Sequence, residues 1–235
     1  LSAYSAVNFG HSNQRFVRAA RQQLGRITLT SRAFYNDQFG LLCRELADLC
    51  RMEAVLVMNS GAEAVETAIK GARKWGYQKK GIEEGRANII CFANGFAGRT
   101  VTVISFSTQA SSREGFGPFT PGFRIVPYGD LAAVRAAIDQ DTAGVLFEPI
   151  QGEGGVIVPP AGFVNGLRQL CSEKNVLMIA DEIQTGLCRT GDLFACDHEG
   201  VRPDVYLIGK SLGGGIMPIS AVVAKHEFMD VFTPG

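Results

Sequence analysis

The sequence predicts an α/β domain in three layers, a mostly parallel sheet with helices on both faces. Three observations carry this. Short runs such as AVLVM (54–58) and DVYLIG (204–209) are apolar at almost every position, as strands covered on both faces are. These runs alternate with helix-like stretches, the pattern of a parallel sheet joined by crossover helices. Polar, glycine-containing stretches follow the runs, where sheets of this kind bind ligands, beyond the carboxyl ends of their strands.

Each element has its own warrant. AVLVM (54–58) reads as a buried strand. GAEAVETAIKGARKWGY (61–77) reads as a helix, opening on small residues after Asn59 and Ser60, with apolar positions recurring at three and four. NIICFA (88–93) and FRIVPY (123–128) are strands. DLAAVRAAI (130–138) is a helix with Asp130 as its N-cap. AGVLFEPI (143–150) is a strand and AGFVNGLRQLCSEKN (161–175) a helix. VLMIADE (176–182), DVYLIG (204–209) and ISAVVA (219–224) complete the strands. The Ser-, Gly- and Phe-rich stretch 105–121 has weak periodicity and is expected to be a long loop.

Composition narrows the function. The chain has 235 residues, 46% hydrophobic and 20% charged, an ordinary globular balance. Lys plus Arg number 23 and Asp plus Glu 23, so no net charge favours nucleic acid as a partner. No apolar run is long enough to span a membrane. None of the six cysteines form C-x-x-C and the three histidines lie far apart, so no metal site is expected. The cysteines read as reduced, small hydrophobes, which fits the cytoplasm. The chain opens at Leu1 and stops at Gly235 in FTPG, so a piece of a longer protein is expected. A lost targeting segment would allow the mitochondrial matrix instead.

The simplest motifs fail. GKS (209–211) resembles the end of a phosphate-binding P-loop, but the required earlier glycine is Asp204. No G-x-G-x-x-G follows a strand, and neither H-E-x-x-H nor G-x-S-x-G occurs. What remains is Asp181 and Lys210, each ending a strand, one crossover apart. The plain alternative is an ion pair. The sharper one is pyridoxal phosphate, which needs a lysine for covalent attachment and an acid facing its pyridine nitrogen. NSGAEA (59–64) opens a helix and supplies a phosphate cradle from the Ser60 hydroxyl and the Gly61 and Ala62 amides. Phe96 in NGFAGRT could cover the ring, and Arg99 could clamp a substrate carboxylate. Taken singly, Phe96 also reads as core, Arg99 as a surface ion-pair partner and the helix start as a cap.

Longer stretches carry a resemblance. YSAVNFGH, TLTSRAFYND, MNSGAEAVETAIKGARKWGY, GFGPFTPGF, EPIQGEGGV, ADEIQTGLCRTG and RPDVYLIGKSLGGG resemble the class III, fold-type-I pyridoxal-phosphate aminotransferases, and most closely their ornithine branch. The resemblance runs nearly end to end. It implies residues 1–40 as an N-terminal segment bordering the active site and 41–235 as the cofactor-binding large domain, the family's small C-terminal domain lying outside this chain. It implies a homodimer that moves the δ-amino group of L-ornithine to 2-oxoglutarate. Acetylornithine, 4-aminobutyrate or another ω-amine is the nearest alternative donor. A non-catalytic binder of the cofactor, or an inert fragment, is the alternative of another class.

The resemblance also assigns roles. Lys210 would hold the cofactor and shuttle protons, and Asp181 would pair with the pyridinium. Gln184 would meet the ring hydroxyl, with Ile183 and Phe96 on the two ring faces. Ser60, Gly61 and Ala62 would hold the phosphate. Tyr4, Tyr35 and Arg99 would shape the end that receives the substrate α-carboxylate, and Glu153 would gate a second arginine. Glu148 would support the cofactor rim. Two positions depart from the branch: Ala97 stands where it usually carries tryptophan, and GHSNQ (10–14) replaces G-H-C-H-P.

Overall fold

The computed structural model describes residues 2–31 and 33–233. The chain enters through helix α1 (Gln14–Leu24), whose N-cap Asn13 accepts the Arg15 N–H at 3.0 Å. Helix α2 (Phe39–Cys50) follows and ends in a left-handed turn at Arg51, φ 53°. Then the expected alternation begins. Strand β1 (Ala54–Met58) leads into α3 (Gly61–Trp75) and β2 (Asn88–Phe92). The short α4 (Val101–Ile104) precedes β3 (Phe123–Val126), and α5 (Leu131–Ala137) precedes β4 (Thr142–Phe147). Helix α6 (Phe163–Glu173), β5 (Leu177–Asp181), β6 (Val205–Ile208), β7 (Ser220–Ala224) and α7 (His226–Met229) close the chain.

The strands form one sheet in the order β1-β7-β6-β5-β4-β2-β3. All pairs from β6 to β3 are parallel, and β7 runs antiparallel to both β1 and β6. The carboxyl ends of β1, β4, β5 and β6 therefore share one rim with the start of β7.

The apolar runs are explained by two covered faces. Leu177, Ile179, Leu207 and Val222 pack with Val65, Ala68 and Ile69 of α3. Their neighbours Met178, Ala180 and Val145 turn the other way, onto Phe163, Leu167 and Leu170 of α6 and Val134 of α5. On that second face Tyr206, Ile208 and Val223 meet Leu46 and Cys50 of α2. Successive side chains of a strand point to opposite faces, so a strand between two helical layers must be apolar throughout. Close packing also fixes a glycine: a Cβ on Gly71 of α3 would stand 2.5 Å from the Phe228 ring.

Three expectations are corrected. AVLVM is not fully buried: β1 is an edge strand, and Leu56 is 37% exposed. The strand over 143–150 ends at Phe147, because Glu148 and Pro149 leave the ladder. Helices α1 and α2 were not expected at all. The stretch 105–121 is a loop with one short turn, Ala110–Ser112. It is gathered around Arg113, which donates to the carbonyls of Ile104, Ser105 and Ser107 and lies over the Phe119 ring.

Candidate active site

Lys210 occupies the rim because β6 ends at Ile208 and Gly209 carries the chain, still extended, past the sheet. Its φ is +43°, a left-handed conformation that costs a residue with a Cβ about 1 kcal/mol or more and is held only where surroundings enforce it. The Nζ lies 4.0 Å from Glu153 Oε1. Loss of solvent lowers the amine's proton affinity, while the carboxylates of Glu153, Asp181 and Glu148 oppose that.

Asp181 ends β5, is 6% exposed, and faces the same side of the sheet as Leu207, the side covered by α3. Among the described residues its carboxylate accepts one hydrogen bond, from the Ile183 N–H at 3.1 Å. Burial, then the nearby Glu148, pushes its pKa up to about 8, against the weaker pull of the Ile183 N–H and Lys210. A buried carboxyl so placed stays protonated until a cation faces it.

These two groups open onto one cavity of about 210 Å³. Its walls include Gly61 and Ala62 from the start of α3, Phe96, Ala97 and Gly98 from the loop after β2, and Glu148 after β4. Ile183 and Gln184, in the turn after β5, complete it. Glu148 ties two loops together, accepting the Phe96 N–H at 2.8 Å and the Gly152 N–H at 3.2 Å. Burial raises its pKa. Gln184 Nε2 donates to Glu153 Oε1 at 3.2 Å and to the Tyr4 carbonyl at 3.4 Å, while its Oε1 is buried without a partner among the described residues. Gly98 has φ +117°, and a Cβ there would stand 2.9 Å from the Ala62 Cβ, so only glycine lets the loop close on α3.

The phosphate cradle differs from expectation at Ser60. That residue is the N-cap of α3 in a capping box. Its hydroxyl donates to Glu63 Oε2 at 3.0 Å and accepts the Glu63 N–H at 3.3 Å, and its own N–H donates to Glu63 at 2.7 Å. The hydroxyl is thus committed to the helix. The Gly61 and Ala62 amides, in the first turn, have no intrahelical acceptor and remain for an anion.

The expected substrate end is only partly assembled. Tyr4 meets the site through its main-chain carbonyl, and its side chain is exposed. Arg99 is exposed, its guanidinium 5.8 Å from the centre of the Phe96 ring. Tyr35 is fully exposed and does not line the cavity. Glu182, Glu63 and Gly98 were missed. Ser-x-x-Glu before an apolar helix was a readable capping signal for Glu63. Nothing local marked Glu182, whose partners lie beyond the next turn. A larger cavity, about 430 Å³, lies at the opposite rim between Trp75, Arg202 and Lys225. It contains the Arg168–Asp204 ion pair at 2.8 Å.

Known proteins resemble this arrangement over the whole chain. The profile of the family described as Aminotransferase class-III matches residues 1–235. The ornithine aminotransferase of Oceanobacillus iheyensis is 52% identical over 235 residues, 100% of this chain and 59% of that protein. The chain thus spans 59% of the length of that curated relative. The crystal structure of Toxoplasma gondii ornithine aminotransferase superposes with a TM-score of 0.99 at 49% identity, covering 100% of this chain and 56% of that one. A second structure of the same protein has PLP at partial occupancy in its active site. Acetylornithine aminotransferase from Elizabethkingia anophelis is 47% identical, with a TM-score of 0.87, over 100% of this chain and 56% of its own.

Proposed function

Because this chain belongs to the aminotransferase class-III family, we propose that the protein is a pyridoxal-phosphate-dependent aminotransferase. Its reaction takes the δ-amino group of L-ornithine, releasing glutamate 5-semialdehyde, and passes it to 2-oxoglutarate to give glutamate. The observation that carries this is the meeting of Lys210 and a buried Asp181, in no close ion pair among the described residues, in one cavity beside the open N-terminus of α3.

The cavity's own chemistry fits the cofactor. Asp181 needs a positive partner, which a protonated ring nitrogen supplies. The buried Gln184 Oε1 needs a donor, which a ring hydroxyl supplies. The Gly61 and Ala62 amides need an acceptor, which a phosphate supplies. Bound there, pyridoxal phosphate would act as a sink for the electrons left when a proton leaves the substrate carbon next to nitrogen.

The chain's residues do the rest. Lys210 would hold the cofactor, and as a free amine it would take that proton and return it as a general acid. Its desolvation favours the neutral amine a base requires. Asp181 would hold the ring-nitrogen proton in place. Ile183 and Phe96 would confine the ring between them, and Glu148 fixes the Phe96 loop. Glu153 stands beside Lys210 and Gln184, where it would gate a second arginine. Tyr4, Tyr35 and Arg99 would shape the carboxylate end. We read residues 1–40 as the segment bordering the site and 41–235 as the large domain. The exposed Tyr4, Phe34 and Tyr35 support a homodimer, since a second copy would cover them. Six free cysteines support the reducing cytoplasm.

Borohydride reduction of the cofactor-loaded protein, then peptide mapping, is expected to label Lys210. A label on Lys70 or Lys74 refutes the assignment. A second reading, with acetylornithine or another ω-amine as donor, is favoured by Ala97, whose methyl group leaves room on the cavity wall. The ratio of kcat/KM for ornithine and acetylornithine separates the two.

A further inference from the structure

Asp181 and Glu182 are adjacent, yet they face opposite sides of the sheet. Asp181 points with Leu207 toward α3 and the cavity. Glu182, the next residue, points away and is 1% exposed. Its Oε1 accepts the Cys196 N–H at 2.9 Å, and its Oε2 accepts the Ala195 N–H at 3.1 Å and the Thr185 hydroxyl. Its backbone is tied too. The Glu182 N–H donates to the Leu207 carbonyl at 3.0 Å, and the Gly186 N–H donates to the Glu182 carbonyl at 2.9 Å. One residue therefore joins the turn 182–186, the segment starting at Ala195, and strand β6, which leads to Lys210.

That turn carries Ile183 and Gln184 into the cavity. Both are aimed by a backbone whose far side is held by Glu182. We propose that Glu182 is a positioning residue for the cofactor: through Thr185, Ala195 and Cys196 it fixes the turn that aims Ile183 and Gln184 and keeps Asp181 in register with Lys210. This rests on the pyridoxal-phosphate reading above. It assigns Glu182 no contact with cofactor or substrate.

The chemistry of the pocket makes the carboxylate specific. The two N–H donors fall on different oxygens of Glu182. A glutamine offers one oxygen and one NH₂, so one buried amide must lose its acceptor.

The test compares full-length holoenzymes. Glu182→Gln and Thr185→Val are measured against wild type for thermal stability, cofactor dissociation constant and the visible absorbance of the bound cofactor. Leu170→Ala, in the core between the sheet and α6 that Cys196 also joins, removes apolar packing but none of the Glu182 hydrogen bonds, and is the control for destabilisation alone. Glu182→Gln is expected to weaken cofactor binding at least about tenfold, as loss of one buried acceptor predicts, and to shift the absorbance or its pH midpoint. Thr185→Val should move the same readouts less, and it decides the matter if Glu182→Gln does not fold. Leu170→Ala should lower stability with the cofactor constant unchanged. The proposal is overturned if the turn variants fold and bind cofactor as wild type does, or if Leu170→Ala weakens binding equally. Wild type that takes up no pyridoxal phosphate would overturn the functional reading itself, and this inference with it.

Discussion

Asp181→Asn should move stability and catalysis in opposite directions. The amide oxygen can still accept the Ile183 N–H, so the turn after β5 is preserved. Only the charge is lost. In the cofactor-free protein the carboxyl's pKa is raised from 3.8 to about 8, chiefly by burial. At about 1.36 kcal/mol per pKa unit, the bare anion is disfavoured by roughly 6 kcal/mol, an upper bound that relaxation reduces to on the order of 3 kcal/mol. The sign follows from proton counting. Between about pH 4 and pH 8 the folded protein keeps a proton that the unfolded chain has released, so its stability falls as pH rises through that window. Asparagine has no proton to lose. Cofactor-free Asp181→Asn should match wild type near pH 4 and exceed it near pH 8, in urea unfolding at fixed ionic strength. With cofactor bound, the order reverses for catalysis. The ring nitrogen then lacks its anion, and single-turnover amino transfer should fall on the order of a hundredfold or more. Two outcomes would sink this reasoning: a mutant with near-normal single turnover, or a wild-type protein whose stability relative to the mutant does not change with pH.

Ala97→Trp should raise the preference for ornithine over acetylornithine by about 1–3 kcal/mol in kcat/KM, because only pocket shape changes; an unchanged ratio with intact cofactor binding would remove Ala97 from substrate choice. Ser60→Ala should cost about 1 kcal/mol of stability through loss of the α3 cap while cofactor affinity stays near wild type. A large loss of affinity, measured by equilibrium dialysis, would return the hydroxyl to the phosphate. Gly71→Ala should destabilise by roughly 1–3 kcal/mol in chemical denaturation, since its Cβ would meet Phe228 and Phe232.

Much of the site was legible because its chemistry sits where chain-local signals end. An apolar run stops at Ile208 and Lys210 follows. Another stops at Ala180 and Asp181 follows. Small residues open α3. Each is a transition between periodicities that can be seen in a few neighbouring residues, and the rule that ligands sit at strand ends joins them. Helix α2 was also readable, since Leu42, Leu46 and Cys50 recur at four and face the sheet. Helix α1 gave less, for it buries no residue and leaves no core stripe to detect.

The sequence by itself determined the alternation of strands and helices from β1 onward, the two covered faces, and the placing of Asp181 and Lys210 at strand ends. These depend on side-chain period and on backbone groups within one turn or strand. Tertiary structure alone decided the rest. An apolar run states that a strand is buried but not its direction or neighbours, so the antiparallel β7 between β1 and β6 was invisible. Ser60 reads as a phosphate ligand in the sequence, and only the fold shows that its hydroxyl also caps α3 against Glu63. Glu182 carried no signal in the sequence, because its donors arrive only when the chain from Thr185 to Cys196 folds back on the face of the sheet opposite Asp181. In each case the deciding partner was fixed by strand order or a returning loop, and hydrogen bonds across such distances are set by the packing of the whole sheet rather than by neighbours in the chain.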